Sequence, residues 1–259
     1  MTNGTTSSST ANGIAKADAR RPAKRRGLAA KLRHGHAALL HRLHENLVDR
    51  RYRHLETVPT GGMVELDGFH IESENRAYVT HYSPTPRLLT RWVHEALPRD
   101  LSAWTFVDVG AGRGRVLLQT ATHPYRRIVG IEFAEEFADA AERNIAGFPQ
   151  DRIAAQAIEV RRTDALAFDP PEGPTVYFIF NPFGEPVMRR FVARIATAYA
   201  ARPRPIICAL VNPIQKSVFA RHPDFEPIPL GAGLALKLAL FSPYGIALYG
   251  TPEAFALLD

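Results

Sequence analysis

The sequence predicts an α/β protein: a doubly wound, mostly parallel sheet of seven strands with one antiparallel strand, preceded by an N-terminal helical extension. Three observations predict it. From Trp104 onward, short β-rich runs alternate with helical patterns, which is the rhythm of βαβ units. The first run ends in a cluster of glycines that opens a helix. Near the C-terminus, Ser242-Pro243-Tyr244-Gly245 separates two apolar runs by a turn short enough for an antiparallel hairpin.

The N-terminal part is organised by charge. Of the 259 residues, positions 1–60 hold 12 Lys and Arg against 4 Asp and Glu, a net of +8, while the remainder holds 20 against 22, a net of −2. The overall charge of +6 therefore describes a basic leader on a nearly neutral body. Residues 1–27 lack the large apolar side chains that repay the entropy of ordering, so they read as a disordered basic tail. The cluster Arg20 to Arg26 is compatible with a polyanion or acidic-membrane contact, with an organelle presequence, or with a solvated tail. No uninterrupted apolar segment of a secretory signal follows those charges.

Residues 28–100 form the expected helical extension and covering loop. Leucines at 28, 32, 39, 40, 43 and 47 recur near helical spacing, with Gly35 expected to bend that helix. Its face is expected to dock on the main domain. The histidine pairs His34/His36 and His41/His44 could in principle hold a metal, but no cysteine lies near them and solvated helix histidines are common, so no metal site is expected. After a Gly-rich linker, Ser83-Pro84-Thr85-Pro86 places cap-type hydroxyls and first-turn prolines before a helix that runs to Leu97.

Residues 101–259 carry the alternating pattern. Strands are expected at Thr105 to Val109, Arg127 to Glu132, Ile158 to Arg161, Thr175 to Phe180 and Pro205 to Val211, with helices at Arg113 to Thr122, Ala134 to Ala146, Glu185 to Ala201 and near Lys216 to Ala220. Leu234 to Phe241 and Ile246 to Tyr249 are the expected hairpin strands. No apolar run approaches the roughly 18 residues of a spanning helix, so a soluble protein is expected. The single cysteine, Cys208, cannot form an internal disulfide, which points to a reducing, cytoplasmic setting. Its apolar neighbours mark it as a buried small hydrophobe.

The chemistry concentrates where the first strand becomes Asp108-Val109-Gly110-Ala111-Gly112-Arg113-Gly114-Arg115. Glycines there permit a tight turn and close approach of a ligand to the carboxyl edge of the sheet. The spacing is GxGxG, and Arg115 stands where a dinucleotide fold wants a small residue. Asp108 would repel a pyrophosphate but suits the ammonium and sulfonium charges of S-adenosylmethionine. Glu132 closes the second strand, where a carboxylate can accept from both ribose hydroxyls of either cofactor. After the third strand, Asp164 is placed to accept from an adenine amino group while the Ala165 amide donates to the ring. Arg113 and Arg115 sit at a helix N-terminus, where they face solvent or bind an acidic substrate.

On these residues the chain resembles the class I S-adenosylmethionine-dependent methyltransferases, Rossmann-like enzymes, over Tyr82 to Gly250. It is similar to a bacterial subgroup with a Tyr-x-Pro-Thr-Pro segment (Tyr82 to Pro86), a GxGxGR loop and Phe180-Asn181-Pro182-Phe183-Gly184, and distantly to the non-SET histone-lysine methyltransferases. The resemblance implies that Gly110 and Gly112 line the methionine moiety, Glu132 the ribose and Asp164 the adenine, with Tyr82 or Thr85 closing over the methionine end. It places Asn181 and Phe183 beside the transferred methyl, with Tyr82 as a further polar group. Amino-methylating relatives often carry Asn-Pro-Pro-Tyr at this point. Here the second proline is missing and the aromatic residue comes one position earlier, so Phe183 reads either as an acceptor-stacking ring or as packing of a strand-to-helix turn. The expected reaction is metal-independent methyl transfer to an amino nitrogen, such as that of a protein lysine. The alternatives are a small-molecule N- or O-methyltransferase and a non-catalytic nucleic-acid-associated binding protein.

Overall fold

A computed structural model of the chain describes residues 84–258, together with 58–60 and positions 35 and 39. Gly35 and Leu39 are both helical, and Leu39 is 57% exposed. Tyr82, the tail over 1–27 and most of the leucine-striped stretch lie outside the described residues.

The chain alternates β1 (Thr105–Val109), α2 (Arg115–Thr120), β2 (Arg127–Glu132), α3 (Glu135–Ala146), β3 (Ile158–Arg162), β4 (Thr175–Ile179), α4 (Glu185–Ala201), β5 (Ile206–Val211), α5 (Lys216–Ala220), β6 (Glu226–Ile228), α6 (Ala232–Phe241), β7 (Ile246–Gly250) and α7 (Pro252–Phe255), after α1 (Arg87–His94). The seven strands pair in the order β3-β2-β1-β4-β5-β7-β6. All pairs are parallel except those of β7, which runs against both β5 and β6. This is a doubly wound, mostly parallel sheet with one reversed strand.

Alternation along the central strands divides the core into two layers. Phe106, Ile128, Val176 and Phe178 face a layer that includes Leu89 and Trp92 of α1, Leu117 of α2 and Leu234 and Leu238 of α6. Val107, Val129, Tyr177, Cys208 and Leu210 face the layer beneath α4 and α5, with Met188, Phe191 and Phe219. Burial pushes the Cys208 thiol far up, so it stays a protonated, inert core side chain. At the opposite edge of the sheet from the glycine loop, His94 stacks on His123 at 4.1 Å, with Phe106 and Tyr125 completing the aromatic cluster.

Two expectations are corrected. Leu234 to Phe241 is a helix, because the run is built of Ala, Leu and Lys without a β-branched residue, and those are strong helix formers. The outer hairpin partner of β7 is instead the three-residue β6, where Pro227 is tolerated because the strand lies at the sheet edge. The start of α1 also differs: Pro86 itself occupies the cap position and no side chain caps the helix, with Thr85 buried just before it.

Candidate active site

β1 lies between β2 and β4, so the chain direction of the windings reverses beside it. The carboxyl ends of β1 and β4 thus border the crevice in which doubly wound sheets bind ligands. Gly110, Gly112 and Gly114 follow β1 with φ of 81°, 54° and 80°, a left-handed conformation that a side chain would strain. A Cβ on Gly110 would stand 2.9 Å from Cβ of Pro182, so the glycine lets the turn after β4 close against the loop after β1. A Cβ on Gly114 would stand 3.2 Å from Cβ of Ala141, which shows how closely α3 buttresses the loop. The Asn144 side chain adds a hydrogen bond to the Arg113 carbonyl at 2.9 Å.

The loop amides are engaged internally. Gly110 and Ala111 both donate to the Ile131 carbonyl at 2.9 Å, Gly114 donates to Ala111, and Gly112 donates to Oε2 of Glu132 at 2.8 Å. Glu132 is buried, and its Oε1 accepts from Phe133 and Ala134 at 3.0 and 2.9 Å. Burial raises its pKa and these three amides oppose the rise. A carboxylate offers about four acceptor positions, so one remains on Oε2 for a hydroxyl. With its amides so committed, the loop from Gly110 to Gly112 is poorly suited to cradle a pyrophosphate.

Asp108 sits one strand away, buried to 4% exposure. Burial first, and the Glu132 carboxylate second, push its carboxyl up to about 8. Among the described residues no cation pairs with it. A buried acid in that state, beside a glycine loop at the carboxyl edge, is a ready partner for a cationic ligand.

Asp164 heads the turn after β3: its Oδ1 accepts the Leu166 amide at 2.7 Å, and its carbonyl accepts those of Ala167 and Phe168. Thr163 is tied to the Glu132 carbonyl at 3.0 Å, which holds Asp164 and Ala165 at the same edge as Glu132. Asn181 follows β4 with φ 46°, half-buried. Phe183 points away from that edge. It is 6% exposed in the layer beneath α4 and meets Phe191 edge-on at 5.8 Å. Arg113 lies over the Phe137 ring at 5.9 Å.

The structure also brings forward residues that the sequence reading passed over. Ile179 and Leu210 are register partners, so Asn181 and Asn212 follow their strands at the same level. Both are left-handed and both precede proline. Phe180 meets Tyr244 edge-on at 5.6 Å, joining the end of β4 to the turn that enters β7. The repeated Asn-Pro dipeptide was the available signal. Among the described residues no cluster of His, Cys, Asp or Glu could hold a metal ion, and no helix is long and apolar enough to cross a membrane.

No protein-family model matches the chain. Over 126 residues it is 27% identical to the H3 lysine-79 specific histone-lysine N-methyltransferase of Dictyostelium discoideum, a match that takes in 44% of this chain. The chain spans 7% of the length of that curated relative. Similar solved structures include a ribosomal protein L11 methylase from Lactobacillus delbrueckii subsp. bulgaricus, at 17% identity and TM-score 0.42 over 68% of this chain and 82% of that one. Another is an RNA methyltransferase from Salinibacter ruber in complex with S-adenosyl-L-homocysteine, at 19% identity and TM-score 0.39 over 65% and 92%.

Proposed function

We propose that the chain is an S-adenosylmethionine-dependent methyltransferase that acts on an amino nitrogen. The observation that carries this reading is the unpaired, buried Asp108 beside a loop whose amides are already engaged. That arrangement favours a ligand with ammonium and sulfonium charge over a dinucleotide. In this reading Asp108 faces the methionine end, Gly110 and Gly112 give it room, Glu132 accepts a ribose hydroxyl, and Asp164 with the Ala165 amide meets the adenine. Thr85 or Tyr82 closes over the methionine end. When bound, the cofactor supplies an electrophilic methyl group.

The acceptor must approach from the side of β4, where Asn181 is held against Gly110 through Pro182. A lysine-type amine, with an ordinary pKa near ~10.4, must first shed a proton. The desolvated crevice favours the neutral amine, and the Asn181 oxygen orients it by accepting one of its hydrogens. Phe183 supports that turn from below. An amine acceptor is in keeping with the lysine specificity named for the Dictyostelium relative.

Calorimetry with S-adenosylhomocysteine and with NAD tests the cofactor, and methyl-labelled S-adenosylmethionine incubated with protease-treated or nuclease-treated lysate tests the acceptor. The expected result is binding of S-adenosylhomocysteine alone, with label in a protein or amine fraction. NAD binding without a response to S-adenosylhomocysteine overturns the assignment, and label confined to nucleic acid overturns the acceptor.

A further inference from the structure

The turns that end β4 and β5 repeat one another. Ile179 and Leu210 are register partners, and beyond each the chain passes one further residue into Asn-Pro, at Asn181-Pro182 and Asn212-Pro213. Among the described residues these two asparagines are the non-glycine positions with left-handed backbone, at φ 46° and 51°. Asn181 orients the acceptor amine in the proposed reaction, while Asn212 has no task in it. Asn212 is half-buried, and among the described residues nothing hydrogen-bonds its side chain. In turns, an asparagine side chain commonly accepts from the backbone one or two residues on. Here those donors are missing or taken: Pro213 has no amide hydrogen, and the Ile214 amide donates to the Asn212 main-chain carbonyl at 2.7 Å. The turn is also held in place. The Asn212 main-chain amide donates to the Gly245 carbonyl at 2.9 Å, and Gln215 Nε2 donates to the Phe183 carbonyl at 3.2 Å, which ties the two turns to each other and to the entry of β7.

We infer that Asn212 is the second amide of the acceptor site, and that the two asparagine oxygens together select a primary amine. This rests on the proposed methyl transfer to an amino nitrogen. In the neutral acceptor the nitrogen lone pair must point at the transferred methyl, which directs both N–H bonds of a primary amine away from it. Two acceptors each ~2.9 Å from one nitrogen, at a tetrahedral angle, stand ~4.7 Å from each other. Neighbouring strands lie ~4.8 Å apart, so residues at one level beyond β4 and β5 have the spacing that such a nitrogen needs. In the transfer, the lone pair forms the N–C bond while the C–S bond breaks with its electron pair going to sulfur, and the product ammonium releases a proton to water. The methylated product, once neutral, keeps a single N–H, so one of the two oxygens faces a methyl group where a donor stood. A tertiary amine offers neither donor. The site therefore prefers the unmethylated amine and disfavours a second transfer.

The test is titration of the full chain, loaded with S-adenosylhomocysteine, with n-butylamine and with N,N-dimethylbutylamine, followed by NMR through the side-chain amide signals of Asn181 and Asn212. In any protonation state the first amine offers at least two N–H bonds and the second at most one. Wild type should bind n-butylamine about tenfold more tightly, the worth of one hydrogen bond, with both amide signals moving. Asn212→Gly keeps the left-handed turn and deletes the amide. It should lose most of that preference while its melting temperature and its affinity for S-adenosylhomocysteine stay at the wild-type values. Asn212→Asp, which keeps an acceptor oxygen, should retain the preference. The inference is overturned if wild type does not bind n-butylamine or binds both amines alike, if Asn212→Gly discriminates as wild type does, or if Asn212→Asp loses as much as Asn212→Gly. Wild type that does not take up S-adenosylhomocysteine removes the methyltransferase reading itself, and this inference with it.

Discussion

The Glu132 carboxylate holds the Gly112 amide at 2.8 Å, so one buried side chain ties the loop after β1 to the end of β2. Its other oxygen fixes the entry to α3 through Phe133 and Ala134. Glu132→Ala therefore removes the acceptor of three amides and should destabilise the fold by about 3 kcal/mol or more, since each unsatisfied buried group costs ~1–3 kcal/mol. Glu132→Gln keeps the shape and an acceptor. It should fold and bind S-adenosylhomocysteine more weakly by about 1.5 kcal/mol, roughly tenfold. Thermal melts and calorimetry on both variants check this; wild-type affinity in Glu132→Gln would move the ribose contact elsewhere.

In the proposed reading Asp108 faces the methionine end, so binding should be pH-dependent. Its carboxyl, pushed up to about 8, lies above the ordinary 3.8, so the folded protein holds a proton that the unfolded chain releases. Its contribution to stability is complete below the ordinary value and is lost as pH rises through 8. Asp108→Asn should therefore melt higher than wild type at pH 8 and show little such difference at pH 4. A ligand ammonium set against the carboxylate favours its ionised form and so draws off that proton. Affinity for S-adenosylhomocysteine should rise by up to about tenfold per pH unit between 6 and 8, level off above, and stay flat in Asp108→Asn. Calorimetry in buffers of different ionisation heat measures the released proton, and a pH-independent wild-type affinity contradicts the pairing.

Asn181 and Phe183, two residues apart, should respond differently. Asn181 has a left-handed backbone, so Asn181→Gly preserves the turn while deleting the amide. This variant should bind cofactor normally and lose methyl transfer, whereas full turnover would leave the amide without a role. Phe183→Ala should cost about 3–5 kcal/mol through the cavity left beside Phe191. Phe183→Leu should fold and transfer methyl near the wild-type rate. A folded Phe183→Leu that has lost turnover would return the ring to the acceptor.

His94 should set an acid limit on stability. Burial first and the neighbouring His123 second lower its pKa to about 3, with its Nδ1–H donating to the Thr90 carbonyl at 2.8 Å. The unfolded chain takes up a proton near 6.5 that the folded one refuses, so stability falls as pH drops from 6.5 toward 3. His94→Phe keeps an aromatic ring in the stack and should lose less melting temperature between pH 7 and pH 5 than wild type. Equal losses in circular-dichroism melts would assign the acid sensitivity to other groups.

The strands from Thr105 to Val211 and the helices between them were legible because period-2 and period-3.6 patterns are local, and the glycines of the loop were legible because only glycine adopts three nearby left-handed positions cheaply. Leu234 to Phe241 misled because an apolar run of that length fits a buried strand or a helix. Its Ala and Leu content was the better guide. β6 escaped notice because three residues around Pro227 carry no pattern, and they form a strand only where β7 offers a free edge.

The sequence by itself determined which strand ends carry an acid, where the backbone must turn left-handed, and that the leader is basic. Only the tertiary structure decided what those groups face. Glu132 reads as an open carboxylate until the folded loop brings the Gly112 amide to it across twenty residues. Phe180 and Phe183 read as equivalent aromatics beside Asn181, yet Phe180 joins Tyr244 while Phe183 enters the layer under α4. The left-handed turn at Asn181 interrupts the strand alternation between them, and the side to which each ring then falls is set by the helices packed on either face of the sheet.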